Sequence, residues 1–153
     1  MRQAKAQQLT ELILTVFQLN GALIDWGDKF SATEGLTSAR WQMLGALALA
    51  GQPLTAPQIA ANMGVTRQGA QKQLNLLARD GLVETRDNPQ HKRSPLYVLT
   101  KRGKQTYSRI DTRWNGHVAQ LAAVFSSTEL DTAAKVLAGL VDVYTHLGSH
   151  HET

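Results

Sequence analysis

The sequence predicts a mainly α-helical fold with a small β-wing, set between long N- and C-terminal helices. Three observations predict it. Residues 55–81 read as a short helix, a glycine turn and a second helix with one apolar and one polar face. Residues 82–99 read as two short strands around the basic loop Arg86-Asp-Asn-Pro-Gln-His-Lys-Arg-Ser94. Long amphipathic stretches flank this module on both sides. That order is a winged helix-turn-helix core. One of its helices fits a DNA major groove while the loop reaches the flanking backbone or minor groove.

The elements follow in order. Residues 5–27 carry Leu9, Leu12, Ile13, Val16, Phe17, Leu23 and Ile24, which steps of three and four place on one helical stripe. Asn20-Gly21 interrupts it softly and marks a bend. Residues 28–37 read as a loop. Thr37 or Ser38 caps a second helix with Trp41, Leu44, Leu47 and Ala48 inward, ending near Gly51. Thr55 is the N-cap of a third helix, and Pro57 falls in its first turn, where a missing N–H costs little. Its inward residues are Ile59, Ala60 and Met63, and Gly64 supplies the turn.

Thr66 caps a fourth helix over about 67–80, which Gly81 ends. Ala70, Leu74 and Leu77 form its buried side; Gln68, Gln71, Lys72 and Asn75 share another face. Leu82–Arg86 and Leu96–Leu99 are the strands, with the turn signal Asn88-Pro89 between them. Thr100 caps a long helix from 101 to about 125 carrying Tyr107, Ile110, Trp114, Val118, Leu121 and Phe125. Ser126-Ser-Thr-Glu129 fits a capping box and opens a last helix with Leu130, Ala134, Leu137, Val141, Tyr144 and Leu147. The tail from Gly148 is expected to fray. The expected organisation is one domain over 1–153: residues of about 37–100 bind DNA, and those of about 5–27 and 101–147 dimerise. The terminal helices carry more apolar stripe than the small central module covers, and a two-fold homodimer is the commonest closed solution.

Composition narrows the function. The chain has 153 residues, enough for one sizeable core, and a net charge of +4. Between residues 64 and 104, nine Lys and Arg face three Asp and Glu, a net +6 that leaves −2 for the rest. The positive charge therefore sits on the segment whose shape fits DNA. There is no cysteine, which removes disulfides, thiolate metal sites and cysteine redox sensing. No apolar run is long enough to cross a bilayer, and the N-terminal residues have no signal-peptide core; a cytoplasmic protein without membrane association is expected.

The base-reading candidates are Gln68, Gln71, Lys72 and Asn75. Gln and Asn pair bidentately with adenine, and Lys donates to guanine O6 and N7. The plainer alternative is a solvated helix face. Position favours reading, because this face follows the turn glycine and precedes a basic wing. Thr66 and Arg67 lie at the helix N-terminus, where backbone N–H groups and the helix dipole favour phosphate. Thr66 can cap the helix and meet phosphate together. Lys92 and Arg93 fit a narrow minor groove, with a flexible solubilising loop as the alternative; Arg86 fits backbone contact or plain surface charge.

Other groups carry less. His146, His150, His151 and Glu152 cluster near the C-terminus, but a frayed tail makes a poor metal site, so no metal or cofactor is expected. Trp26, Phe30, Trp41, Trp114 and His117 are candidates for a pocket, against the plainer reading that tryptophans at helical spacing are core. Catalytic signatures are missing: no Gly-rich phosphate loop, nucleophile elbow or metalloprotease motif occurs, and no enzyme is expected.

The residues resemble the MarR (multiple antibiotic resistance regulator) family of transcription regulators. The likeness runs from the first helix to Leu147. It rests on Leu36-Thr-Ser-Ala-Arg-Trp41, on Leu54-Thr55 and Ile59-Ala60 before Met63-Gly-Val-Thr-Arg67, and on Leu74–Leu77 leading into Gly81-Leu-Val83. Leu99-Thr-Lys-Arg-Gly103 and the Phe125-Ser126 junction fit too. The resemblance implies a homodimeric repressor that binds double-stranded DNA at a pseudo-palindromic operator and is released by a small, often aromatic, effector. It also implies a ligand pocket between dimerisation helices and DNA module. One departure stands out. The family's wing commonly has an aspartate two residues before an arginine, the pair fixing the tip; here those positions are His91 and Arg93. Asp87 or backbone carbonyls are the candidate replacements. The departure leaves one alternative, a winged-helix protein-interaction module that does not bind DNA.

Overall fold

The computed structural model describes residues from Arg2 to Ser149; Met1 and the tail residues His150, His151, Glu152 and Thr153 lie outside the described residues. The chain forms two compact units that meet in sequence between Asp111 and Thr112. This division falls inside a helix whose first turns bury Gly103, Thr106 and Ile110.

The first unit opens with α1, Arg2–Ser31, which runs through Asn20-Gly21 without a break. It also continues four residues into the segment expected to be a loop, and a 3-10 turn follows at Ala32–Glu34. Polar composition hid this end of the helix. Ser31 is fully buried, and its hydroxyl is satisfied by the carbonyls of Gly27 at 2.7 Å and Leu36 at 3.0 Å. Ser38 reaches back across the same joint. Its Oγ donates to the Ile24 carbonyl at 2.6 Å, and its amide donates to Asp28 Oδ1 at 2.7 Å.

Helix α2, Ser38–Ala50, is capped by Thr37, whose Oγ1 accepts from the Arg40 amide. Met43 to Leu47 are buried without interruption, so this helix is the centre of the core. A two-residue strand follows, β1 at Leu54–Thr55, too short for alternation to reveal it. Helix α3, Ala56–Met63, starts in a full capping box between Thr55 and Gln58. Gly64, at φ 65°, makes the left-handed turn that a Cβ would strain. Helix α4, Arg67–Arg79, is capped by Thr66 Oγ1, which accepts from the Gly69 amide at 3.0 Å.

Strands β2, Val83–Arg86, and β3, Leu96–Leu99, pair antiparallel with Val83 opposite Leu99 and Arg86 opposite Leu96. Strand β1 adds to the other edge of β3, with Leu54 opposite Tyr97. The sheet therefore has three strands in the order β1-β3-β2, one more than the sequence pattern indicates. Helix α5, Lys101–Ala122, is capped by Thr100, which also donates to the Gly81 carbonyl at 2.7 Å. Gly103 is required here, because a Cβ would collide with the Leu82 carbonyl. Leu44, Ile59, Leu74, Leu77, Tyr97 and Ile110 belong to one continuous core.

The second unit holds the remainder of α5 and helix α6, Ser127–Ser149. Helix α5 ends three residues before its expected limit, in a turn closed by the Val124 and Phe125 amides. The capping box is present: the Glu129 amide donates to Ser126 Oγ, and the Ser126 amide donates to Glu129 Oε1, both at 3.1 Å. Donation to the carboxylate from the Ser126 backbone amide first, and from the Ser126 side chain second, favours its charged form and holds the Glu129 pKa below its ordinary value.

Candidate nucleic-acid interface

The amphipathic split of α4 is complete. Ala70, Leu74 and Leu77 have no exposed surface, which fixes the helix rotation. The opposite side is therefore turned outward. Gln68, Gln71, Lys72 and Asn75 line one concave surface there together with Leu76 and Arg79. Arg79 was not among the residues expected on this face. Its position, four after Asn75 and seven after Lys72, is the signal that identifies it.

Thr66 and Arg67 stand exposed at the start of α4. The Thr66 oxygen accepts the Gly69 amide and keeps its own hydrogen to donate. Capping and phosphate contact are thus compatible at one hydroxyl. The glycine at position 69 brings that amide close, since a Cβ there would lie 2.9 Å from Thr66 Oγ1.

The wing answers the question raised by His91. Asn88, rather than Asp87 or a partner of Arg93, holds the loop. Its Nδ2 donates to the Ser94 carbonyl at 2.9 Å, and its Oδ1 accepts the Gln90 amide at 3.1 Å. The His91 amide donates to the Asn88 carbonyl, and the Ser94 amide to the His91 carbonyl, both at 3.2 Å. One amide side chain thus ties both arms of the loop. The signal in the sequence is the Asn-Pro pair, which marks a turn without revealing that the asparagine is also its clamp. His91, Lys92 and Arg93 are exposed at the tip. Arg86, by contrast, borders a separate concavity with Leu47, Lys104 and Tyr107. Burial and the nearby Asp111 raise the Tyr107 pKa there.

The charges of this segment are available. Among the described residues, no carboxylate pairs with Arg67, Lys72, Arg79, Arg86, Lys92, Arg93, Lys101 or Lys104. Asp80, which follows Arg79 in the sequence, is turned to Arg40 at 3.6 Å, and Arg102 donates to the Asp80 carbonyl. Cations that no carboxylate neutralises present their full charge to solvent.

The pocket candidates divide between the units. In the first, Trp26 stacks on Phe30 with centroids 4.6 Å apart, and Phe30 meets Trp41 at 5.3 Å. Phe30 and Trp41 pack against the core. In the second, Trp114 lies 5.7 Å from His117. His146 Nδ1 lies 2.7 Å from the carbonyl of Asp142, and no three metal-ligating side chains group together among the described residues. The metal reading of His150, His151 and Glu152 falls outside the described residues. No helix among the described residues is long and apolar enough to cross a membrane.

Helix-turn-helix, three-stranded sheet and basic wing define a winged helix-turn-helix of the type found in transcription regulators. The comparisons with known proteins agree. Residues 34–94 match the model of the MarR family. The crystal structure of the MarR family transcription regulator SP03579 superposes with a TM-score of 0.76, at 30% identity and 95% coverage of both chains. An uncharacterized protein of Mycobacterium tuberculosis is 43% identical over 71% of this chain and 74% of its own. The transcriptional repressor YetL of Bacillus subtilis is 29% identical over 86% of this chain and 80% of its own. The chain belongs to the MarR family of transcription regulators.

Proposed function

We propose that this regulator binds a pseudo-palindromic operator as a homodimer, represses transcription from it, and releases it when a small aromatic effector binds. The observation that carries the DNA reading is the coincidence, on one unit, of an outward polar face on α4 with eight cations that no carboxylate neutralises among the described residues. Gln68, Gln71, Lys72 and Asn75 would read base edges. Thr66, Arg67, Lys92 and Arg93 would hold the backbone or minor groove, with His91 beside them, and Arg86 stands further back. Repression is supported by similarity to a named repressor. The dimer is supported by the apolar residues that α1 and α6 leave exposed, Phe17, Leu23, Val141 and Tyr144 among them. In such a dimer the two α4 helices would sit about 34–36 Å apart, one turn of DNA. The half-buried Trp26–Phe30–Trp41 stack is the candidate element for effector sensing in the first unit.

Anisotropy titration tests the reading. The wild-type protein is titrated, across a range of salt, with labelled DNA from upstream of its own gene and with a scrambled duplex. Tighter binding to the upstream duplex is expected, with log–log slopes of about −0.9 for each phosphate neutralised. Gln71→Ala or Lys72→Ala is expected to lose about 1–3 kcal/mol of discrimination between the two duplexes. Equal, salt-insensitive binding to both would instead favour the protein-interaction alternative.

A further inference from the structure

Tyr97, a residue of the sheet, touches the polar face of α4. It sits in the middle of the central strand, opposite Leu54 on one side and Thr85 on the other. Its ring is buried in the core, with 4% of the residue exposed. Its hydroxyl emerges beside α4 and accepts a hydrogen bond from Gln71 Nε2 at 2.9 Å. The same Nε2 donates to Asn75 Oδ1 at 2.8 Å. A primary amide nitrogen carries two hydrogens, so both are committed. What the amide pair itself keeps for an incoming partner is the Gln71 carbonyl oxygen as acceptor and the Asn75 Nδ2 as donor.

We propose that Tyr97 is a specificity-determining positioning residue, which holds the Gln71–Asn75 amide pair in one arrangement for base recognition. The inference rests on the DNA-reading role proposed for α4. A glutamine on an exposed helix face samples many rotamers, and fixing it on contact with DNA costs side-chain entropy. Here much of that ordering is already done in the free protein. The holding group is itself immobile, because strands on both sides and the core beneath clamp the ring. The bidentate glutamine–adenine pair needs a hydrogen on Nε2, which Gln71 has already committed. Gln71 therefore meets a base as an acceptor, towards adenine N6 or cytosine N4, while Asn75 donates to an adjacent acceptor. Tyr97 itself touches no base. The strand that carries the wing back to the core thus also sets what the reading helix presents.

The experiment starts from duplexes selected by the wild-type protein from a randomised library of duplexes long enough for two half-sites. Affinities for the selected duplex and a scrambled one are compared for wild type, Tyr97→Phe, Gln71→Ala and the double variant. Tyr97→Phe keeps the buried ring and removes only the oxygen, so the variant should stay fully folded at the assay temperature, and its salt slope on scrambled DNA should match wild type. Discrimination should fall by roughly three- to tenfold, the range of one net hydrogen bond. Reselection with Tyr97→Phe should relax preference at the same base position that Gln71→Ala relaxes. In the Gln71→Ala background the tyrosine change should add nothing. Wild-type discrimination by Tyr97→Phe, with loss by Gln71→Ala, would overturn the positioning role while leaving α4 as the reader. Unchanged discrimination by Gln71→Ala, or failure to select any duplex, would overturn the reading beneath it. An equal loss on both duplexes would mean that the hydroxyl only supports the fold, which also overturns the proposal.

Discussion

Helices α2 and α6 are both rich in apolar residues, and the structure treats them in opposite ways. Five consecutive residues of α2, Met43 to Leu47, are buried. None of the residues of α6 from Ser127 to Leu147 is buried, and only Leu140 is even half-buried. Leu44 has no exposed surface, whereas Leu130, Val141, Val143, Tyr144 and Leu147 all stand open. The difference is that α2 finds its partners within its own unit, while α6 has an apolar surface far beyond that of scattered surface residues. The part of that apolar surface left in water gains nothing from burial, and covering it is favourable. That asymmetry is the physical case for self-association.

The largest expected effect breaks the buried side of this comparison. Leu44→Ala should lower stability by about 2–5 kcal/mol in denaturant unfolding, because it removes buried apolar surface and leaves a cavity. Leu49→Ala, on the same helix but 78% exposed, should stay within about 0.5 kcal/mol of wild type. Similar losses for both would mean that α2 is not oriented as described.

The exposed side comes next. Leu137→Asp with Val141→Asp should raise the dimer dissociation constant by about a hundredfold or more, since charges would be driven into an apolar interface. The double variant should sediment near the monomer mass of 16.7 kDa at micromolar concentration and keep native helical content. A wild-type protein that already sediments at that mass would remove the proposed interface.

Two further changes compare the tip of the wing with its clamp. Lys92→Ala with Arg93→Ala should weaken binding to every duplex alike and flatten the salt slope by about 0.9 for each phosphate no longer neutralised. Asn88→Ala should act more weakly, by about 0.5–1.5 kcal/mol of affinity, because it loosens the loop while keeping its charge. A slope unchanged by the charge removal would place the wing away from DNA.

The smallest effect concerns Glu129 at the start of α6. Its folded pKa is held below the ordinary carboxylate value by hydrogen bonds from Ser126. The contribution is therefore present above that ordinary value and is lost as pH falls through the lowered folded pKa. The stability gap between wild type and Glu129→Ala should shrink on acidification from neutral pH to about pH 3, the lower edge of the carboxylate range. A gap that widens in acid would reverse the assigned sign.

Much of the architecture was legible because its determinants are local. Thr55 with Gln58, Thr66 before Gly69, and Ser126 with Glu129 each declare a helix start within four residues. The alternation between Ala70, Leu74, Leu77 and the polar set around Gln71 fixes the rotation of α4 by period alone. The outward position of the polar set follows directly from that rotation. The last four residues of α1 were not legible, because a serine and an aspartate look like loop until Ser31 is seen sealed between two carbonyls. Nor was β1, whose two residues become a strand only because β3 lies beside them.

What the sequence by itself determined was the order of elements, the turn at Gly64, the two faces of α4 and the concentration of positive charge between residues 64 and 104. These depend on periodicity, capping and composition, which act over a few residues. What only the tertiary structure decided was which groups meet across the chain: Ser38 with Ile24, Asp80 with Arg40, and Tyr97 with Gln71, 26 residues away. No spacing rule specifies such pairs, because they form only when burial of Leu44, Leu74 and Ile110 in one core brings distant segments together.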